Sequence, residues 1–354
     1  MSTARKVVVG IVLVISALLL GGYLLLSFLN RAAAGGVAIA YSLTGHTSSI
    51  YTTAFSPDDG LLASGDQSGE VKVWEVSSGR QVRALRVPKG EQSDPLEDVA
   101  DLVGQVMFTT DGKWLIAATG RSVKIWTVAS GSEVHSFPDA RYPFAVTTDG
   151  GIMVSAYQSG ALAVWQLANG RQVRLLPGCG EGPGAIAVTQ EGTTVACGTN
   201  FGENTVKLLD VQSGKEIRSL GGERGDTKAI LQLQFSKDSR LLAVATSEKA
   251  VVVYEVATGR EIRRYSFDPG EILYVETCDA SPDLRWLATE HAGGAVSLVE
   301  LPTTRKRVLF GHRGQTGGFS YSHDGHWFAS AGGDKVVKLW RLPPSDSPVT
   351  GWPH

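Results

Sequence analysis

Residues 45–79 read GHTSSIYTTAFSPDDGLLASGDQSGEVKVWEVSSG. Three short runs, IYTTAF, LLASG and VKVWEV, are rich in Val, Ile, Leu and aromatics. Turn residues separate them: Ser56-Pro57-Asp58-Asp59-Gly60, then Gln67-Ser68-Gly69, then Ser78-Gly79. Short apolar runs punctuated by Gly, Pro, Asp and Ser predict consecutive antiparallel strands, because those residues supply the turn conformations that reverse the chain. Outward from this stretch the same unit recurs over residues 37–342. Trp74 has counterparts at Trp126, Trp165, Leu209, Tyr254, Val299 and Trp340, with spacings of 52, 39, 44, 45, 45 and 41 residues. The first turn recurs as Thr110-Asp111-Gly112, Thr148-Asp149-Gly150, Gln190-Glu191-Gly192, Ser236-Lys237-Asp238, Ser281-Pro282-Asp283 and His323-Asp324-Gly325. Trp114, Trp286 and Trp327 fall at matching places in the strand that follows. A unit of this size cannot bury its own apolar face, so a period near 40–45 residues implies stacked copies.

These landmarks resemble the WD-repeat family, whose unit pairs Gly-His with a Trp-Asp some 25–30 residues later over four strands. The resemblance implies an all-β fold: a seven-bladed β-propeller of four-stranded antiparallel blades. It also implies, within a blade, a hydrogen-bonded tetrad of His, Ser or Thr, Asp and Trp. Only Gly45-His46 and Gly311-His312 keep the Gly-His pair, and no Trp at its slot is followed by Asp. The seventh copy is expected to hold all four members, as His312, Ser330, Asp334 and Trp340. The first offers His46, Ser64 and Trp74, with Ser68 where the Asp would stand. The middle blades are expected to rest on apolar packing.

After Trp340 the chain reads RLPPSDSPVTGWPH, too rich in proline for another ladder strand. The seventh blade is thus one strand short, and a spare run lies at residues 37–43, VAIAYSL. The resemblance implies that this run completes the last blade, which leaves only short, protected edges. Residues 343–354 form a tail.

Residues 7–29 are uncharged and apolar. As a helix they would measure about 35 Å, enough to cross a bilayer core. Arg5 and Lys6 precede the run, Arg31 follows it, and no further Lys or Arg appears before Lys72. That bias predicts one N-terminal transmembrane helix, with residues 1–6 cytoplasmic, 30–36 a linker, and the propeller extracytoplasmic. The alternative is cleavage at Ala32-Ala33-Ala34 and secretion, although the apolar run exceeds that of most cleaved signals.

The chain has 33 basic and 35 acidic residues, three of the basic ones being Arg5, Lys6 and Arg31, so the propeller is acidic and lacks the basic surface a nucleic-acid partner needs. Cys179, Cys197 and Cys278 are odd in number, far apart and without CxxC spacing, which gives no disulfide framework or zinc knuckle; Cys197 and Cys278 sit in strand-like runs and read as buried, inert thiols. His323 and His326 have H-x-x-H spacing but sit in a turn. No nucleophile elbow, phosphate loop or HExxH occurs. Neither cofactor nor metal is expected, and no catalytic residue is assigned.

Candidate contacts come from loops that the family fold gathers on one face. The insertion at residues 87–102 carries Glu91, Asp94, Glu97, Asp98 and Asp101; it reads either as a solvated loop or as an acidic recognition element. Loops between second and third strands add Arg121, Tyr157, Gln158, Asn200, Phe201, Glu203 and His291. Phe201 lies in a Gly- and Asn-rich loop with no evident core to enter. These features predict a membrane-anchored scaffold that binds protein or peptide partners. A ligand-binding or enzymatic propeller with a site in its central channel is the alternative, to be judged by the ionisable groups on the channel wall.

Overall fold

The computed structural model describes residues 37–87, 101–147, 149–157, 160–180, 182–199, 205–221, 229–236, 238–247, 250–266, 278–281, 286–300 and 305–342. The predicted membrane span at residues 7–29 and the tail at 343–354 lie outside them. Among the described residues no helix is long and apolar enough to cross a membrane.

The strands assemble into seven antiparallel four-stranded sheets, the blades of a propeller. Blade 1 runs outward from the central channel as Ile50–Phe55, Leu61–Asp66, Glu70–Glu75 and Gln81–Arg86. Blades 2 to 6 repeat the order from Gln105–Phe108, Arg141–Val146, Pro183–Val188, Ile230–Phe235 and Cys278–Ala280. Blade 7 contributes Thr316–Tyr321, Trp327–Gly332 and Val336–Arg341, and its fourth strand is Ala38–Thr44 from the other end of the chain. That strand pairs from Ala38 opposite Arg341 to Thr44 opposite Val336, with a bulge at Ile39/Tyr41 beside Trp340.

The seven slot residues are equivalent in register. Each faces the second residue of the preceding strand: Trp74 opposite Leu62, Trp126 opposite Leu115, Trp165 opposite Met153, Leu209 opposite Val195, Tyr254 opposite Leu242 and Trp340 opposite Phe328. In blade 6, Val299 faces Leu287 in the same way. Every one of them is buried. Each also fills the seam with the preceding blade. Trp74 packs with Ala329 and Leu339 of blade 7, Trp126 with Val73 of blade 1, and Leu209 with Val154 of blade 3. There is one apolar cluster per seam, so the core is a ring of separate wedges rather than a central ball.

The turns between first and second strands share a hydroxyl staple. Ser56, Thr109, Thr147, Ser236 and Ser322 each donate to the carboxylate two residues on, at 2.6–2.7 Å. Each hydroxyl also accepts the backbone N–H five residues on. The carboxylate in turn accepts the N–H two residues beyond itself, as Asp58 does from Gly60. Ser/Thr and Asp are favoured in turns for this local bonding. Between blades 1 and 7 the turns are clasped directly. The Asp59 carboxylate accepts from His323 N at 2.8 Å, His323 Nδ1 at 3.0 Å and Asp324 N at 2.9 Å. The inner strands also approach closely at this seam. A Cβ on Gly318 would lie 2.7 Å from Thr52 Cα, so only glycine fits there.

Candidate functional site

Among the described residues two blades hold the tetrad. In blade 7, His312 Nδ1 is 2.9 Å from Asp334 Oδ1, His312 Nε2 is 2.8 Å from Ser330 Oγ, and Trp340 Nε1 donates to Ser330 Oγ at 2.8 Å. A carboxylate can only accept, so the His312 Nδ1–H donates to Asp334 and Nε2 must accept from the Ser330 hydroxyl. The result is a one-way chain from Trp through Ser and His to Asp, with a neutral imidazole.

Blade 1 is complete as well, which corrects the expectation of a missing acid. His46 Nδ1 is 2.9 Å from Asp66 Oδ2 and Nε2 is 2.7 Å from Ser64 Oγ, onto which Trp74 Nε1 donates at 2.8 Å. The acid is Asp66, the last residue of the second strand, rather than a turn residue. Ser68, at the expected place, instead donates its N–H and hydroxyl to Asp66 Oδ1, and Glu70 N adds a third donor. His46, Asp66 and Glu70 are close enough together to surround a cation. Their atoms already answer one another's donors, with Glu70 also taking Lys72 at 2.8 Å, so the group is a structural knot. Blade 3 keeps half of the chain: Trp165 Nε1 donates to Ser155 Oγ at 2.9 Å, and Phe137 lies edge-on to Trp165 at 5.0 Å.

Protonation would break the one-way chain, because a charged imidazole has no acceptor left for Ser330. Burial pushes the His312 pKa below 6.5, the Asp334 hydrogen bond opposing it only in part. The unfolded chain therefore binds the proton first as pH falls. This contribution to stability is whole above 6.5 and is lost progressively below it. Burial alone would raise Asp66, but the hydrogen bonds from His46, Ser68 and Glu70 outweigh it and hold the carboxyl below 3.8. In the turn staple of Thr109, burial again opposes, yet the bonds from Lys113 and Thr109 hold Asp111 at about 2. These carboxylates lend stability above 3.8 that is lost as pH falls below it. The melting temperature is expected to fall in two stages, and His312→Asn should abolish the part of the first stage that His312 carries. A melting temperature that is flat from pH 7 to 5 would contradict the neutral-imidazole chain.

The inner strands enclose a central cavity of about 700 Å³. Tyr51, Gln105, Tyr142, Gln232, Gln234 and Asp279 lie on its wall. Much of that polarity bridges neighbouring blades. Gln105 takes the place of a ladder residue, donating Nε2 to Phe144 O and accepting Phe144 N, both at 2.8 Å. Thr52 Oγ1 accepts Val106 N at 3.1 Å, Thr53 and Ser320 hydroxyls meet at 2.9 Å, and Gln232 Nε2 donates to Asp279 at 2.7 Å. These wall residues escaped the sequence reading. The signal available was a polar residue in an otherwise apolar innermost strand.

Of the loop residues expected to meet partners, three have described side chains, and all three are engaged internally. Asp101 is 4% exposed and lies 3.4 Å from Arg121 Nε. The insertion thus returns into the fold at Asp101, a buried acid rather than the solvated or partner-facing one expected of the loop. Tyr157 is half-buried against the seam of blades 2 and 3, its ring 6.4 Å from that of Trp165. Glu91, Asp94, Glu97, Asp98, Gln158, Asn200, Phe201, Glu203 and the His291 side chain lie outside the described residues.

Residues 38–75 and 303–341 match the family described as WD domain, G-beta repeat. These stretches fall on blades 1 and 7, which among the described residues hold the complete tetrads, and the match there supports a propeller of the WD-repeat kind. The chain is 28% identical over 145 residues to the small ribosomal subunit protein RACK1 of Medicago sativa, covering 35% of this chain and 41% of that protein. It is 31% identical over 110 residues to the Glycine max protein of the same name, covering 31% of this chain and 30% of that one. It is 36% identical over 97 residues to human apoptotic protease-activating factor 1, covering 27% of this chain and 8% of that protein. The matched stretch is thus less than half the length of each of these relatives.

Proposed function

We propose that the propeller is a scaffold that holds protein or peptide partners on its loop face, tethered to a membrane by the helix predicted at residues 7–29, with the ring outside the cytoplasm. The channel wall carries the scaffold reading. A catalytic site needs converging acids, bases or nucleophiles. Among the described wall residues Asp279 is the sole carboxylate, and no His, Lys, Arg, Cys or Glu joins it. The wall's amides and hydroxyls cross-brace blades instead, so the channel serves the frame and recognition falls to the loops. Two of the relatives carry the name of a ribosomal-subunit protein, a component of a larger assembly, which accords with this reading. The remaining contact candidates are Glu91, Asp94, Glu97, Asp98, Gln158, Asn200, Phe201, Glu203 and His291.

Cross-linking of the full chain in its native membrane tests the scaffold. Phe201→Ala is expected to weaken partner capture about tenfold or more with an unchanged melt, because a loop aromatic serves an interface rather than a core. Neutralising Glu97 and Asp98 should mainly slow association, and more so at low salt. Capture that survives both sets of changes would refute the loop-face site. Protease applied outside intact, wall-stripped cells is expected to digest the ring. Protection there, with digestion in inverted vesicles, would reverse the orientation.

A further inference from the structure

Blade 4 shows how a tetrad can be replaced. In blades 1 and 7 the histidine stands 18 residues before the serine it bonds, four before the inner strand. Cys179 and Cys197 are also 18 residues apart, and they are joined by a disulfide with their Cα atoms 5.9 Å apart. Cys179 stands four residues before the inner strand Pro183–Val188, as His46 does before Ile50. Cys197 stands two residues after Val195, which faces the slot residue Leu209, as Ser64 follows Leu62, which faces Trp74. The disulfide therefore occupies the place of the His–Ser hydrogen bond, and leucine occupies the place of the indole. Both sulfurs belong to the buried seam of blades 3 and 4. This corrects the expectation of no disulfide and the reading of Cys197 as an inert thiol. The pairing was hidden because 18 residues is no recognised cysteine spacing; it emerges only when Cys179 and Cys197 are set beside His46 and Ser64.

We infer that blade 4 is locked by this covalent bond in place of a tetrad, and that the ring matures in an oxidising compartment as the substrate of a thiol–disulfide oxidant. The three observations behind this are the shared spacing, the shared register and the burial. The loop that begins blade 4 needs a tie to the second strand. With Leu209 at the slot there is no indole N–H to organise a serine, so a hydrogen-bonded tie has lost its first member. A disulfide needs no such partner. In forming it, one cysteine thiolate attacks the oxidant's disulfide and the second displaces it, so two electrons and two protons leave the pair and the oxidant departs as a dithiol. Disulfides persist in oxidising surroundings and are rare where glutathione and thioredoxin keep thiols reduced. The inference bears on the proposed extracytoplasmic placement but is tested separately from it, since a ring can be exported without this bond.

The test begins with cells quenched by a membrane-permeant maleimide, so that no thiol oxidises afterwards. The full chain is then purified, denatured without reductant and labelled again. Of its three cysteines, only Cys278 is expected to carry label, and a peptide pair joined through Cys179 and Cys197 should be recovered. Three labelled cysteines, or a different linkage, would overturn the inference. A second measurement asks whether the bond is a lock. Reduction of the wild type is expected to lower its melting temperature by on the order of 5 °C. Cys179→Ala with Cys197→Ser should show the lowered value without reductant. Cys179→His, Cys197→Ser and Leu209→Trp together should recover part of it and be insensitive to reductant. Identical melts for reduced and oxidised wild type would remove the structural role.

Discussion

Removing Ala38–Thr44 while keeping the flanking chain is expected to unfold the ring, although only seven residues are lost. The reason lies in what the strand touches. It covers the outer edge of Val336–Arg341, the strand that carries Trp340. Leu43 is buried in the seam of blades 7 and 1. The Tyr41 hydroxyl donates to Ser77 O at 2.6 Å in blade 1, and Lys338 Nζ reaches Ser42 Oγ at 3.1 Å. The strand therefore ties three things: its own sheet, the next blade and the circle. Burial of a Leu side chain contributes about 1.5–3 kcal/mol, and each ladder hydrogen bond adds about 0.5–1.5 kcal/mol. Together they come to about 5–10 kcal/mol, comparable with the whole stability of a domain. The exposed edge would also invite pairing between molecules. Thermal melting and light scattering of the deleted chain, beside one with the run replaced by alternating Val and Thr, check this. A melt unchanged by deletion would mean that blade 7 stands with three strands. Recovery with the replacement would show that the ladder and the buried face matter more than the particular residues.

The parts of the molecule that the sequence made legible share one property: each is repeated. The slot residue recurs seven times because every seam must be filled from the same strand position, and Leu209, Tyr254 and Val299 satisfy that need without the indole. The closing strand was legible because the proline-rich run after Trp340 left the seventh blade one strand short, while residues 37–43 offered a spare alternating run. What stayed hidden was set by side-chain geometry within a fixed frame. Asp66 and Asp334 do the same work from places two residues apart relative to their serines, so a rule of fixed position selected Ser68 and missed the acid. The Cys179–Cys197 pair was hidden for the complementary reason: the positions are those of the tetrad, but the chemistry is different. Asp101 was read from its acidic neighbours, whereas its own place is decided by the return of the chain beside Val103, whose N–H bonds Asp66 O at 3.0 Å.

Trp340→Ala is the largest single substitution expected. The indole is 3% exposed and packs in the seam with Trp286, Leu309 and Phe319. Truncating a buried aromatic costs about 3–5 kcal/mol, from lost transfer free energy and from the cavity that remains. The backbone is fitted to this ring. A Cβ on Gly311 would lie 2.9 Å from its edge, so the loop before the tetrad histidine is built around the indole. Two further variants separate packing from hydrogen bonding. Trp340→Leu places in blade 7 what blade 4 already carries and should recover part of the loss. Asp334→Ala leaves the packing intact but strands the His312 Nδ1–H, which is expected to cost about 1–3 kcal/mol. Because Trp340 N–H, Ser330, His312 and Asp334 form one chain, Trp340→Ala and Asp334→Ala should be non-additive when combined. The same applies to Trp340→Ala combined with changes at Ile39, which lies directly opposite Trp340 across the closing pair. Chemical denaturation of each variant and of the double variants gives these energies. Full stability in Trp340→Ala, or simple additivity with Asp334→Ala, would mean that the tetrad is not a single unit, and that blade 7 is held, like blades 5 and 6, by apolar packing at the slot.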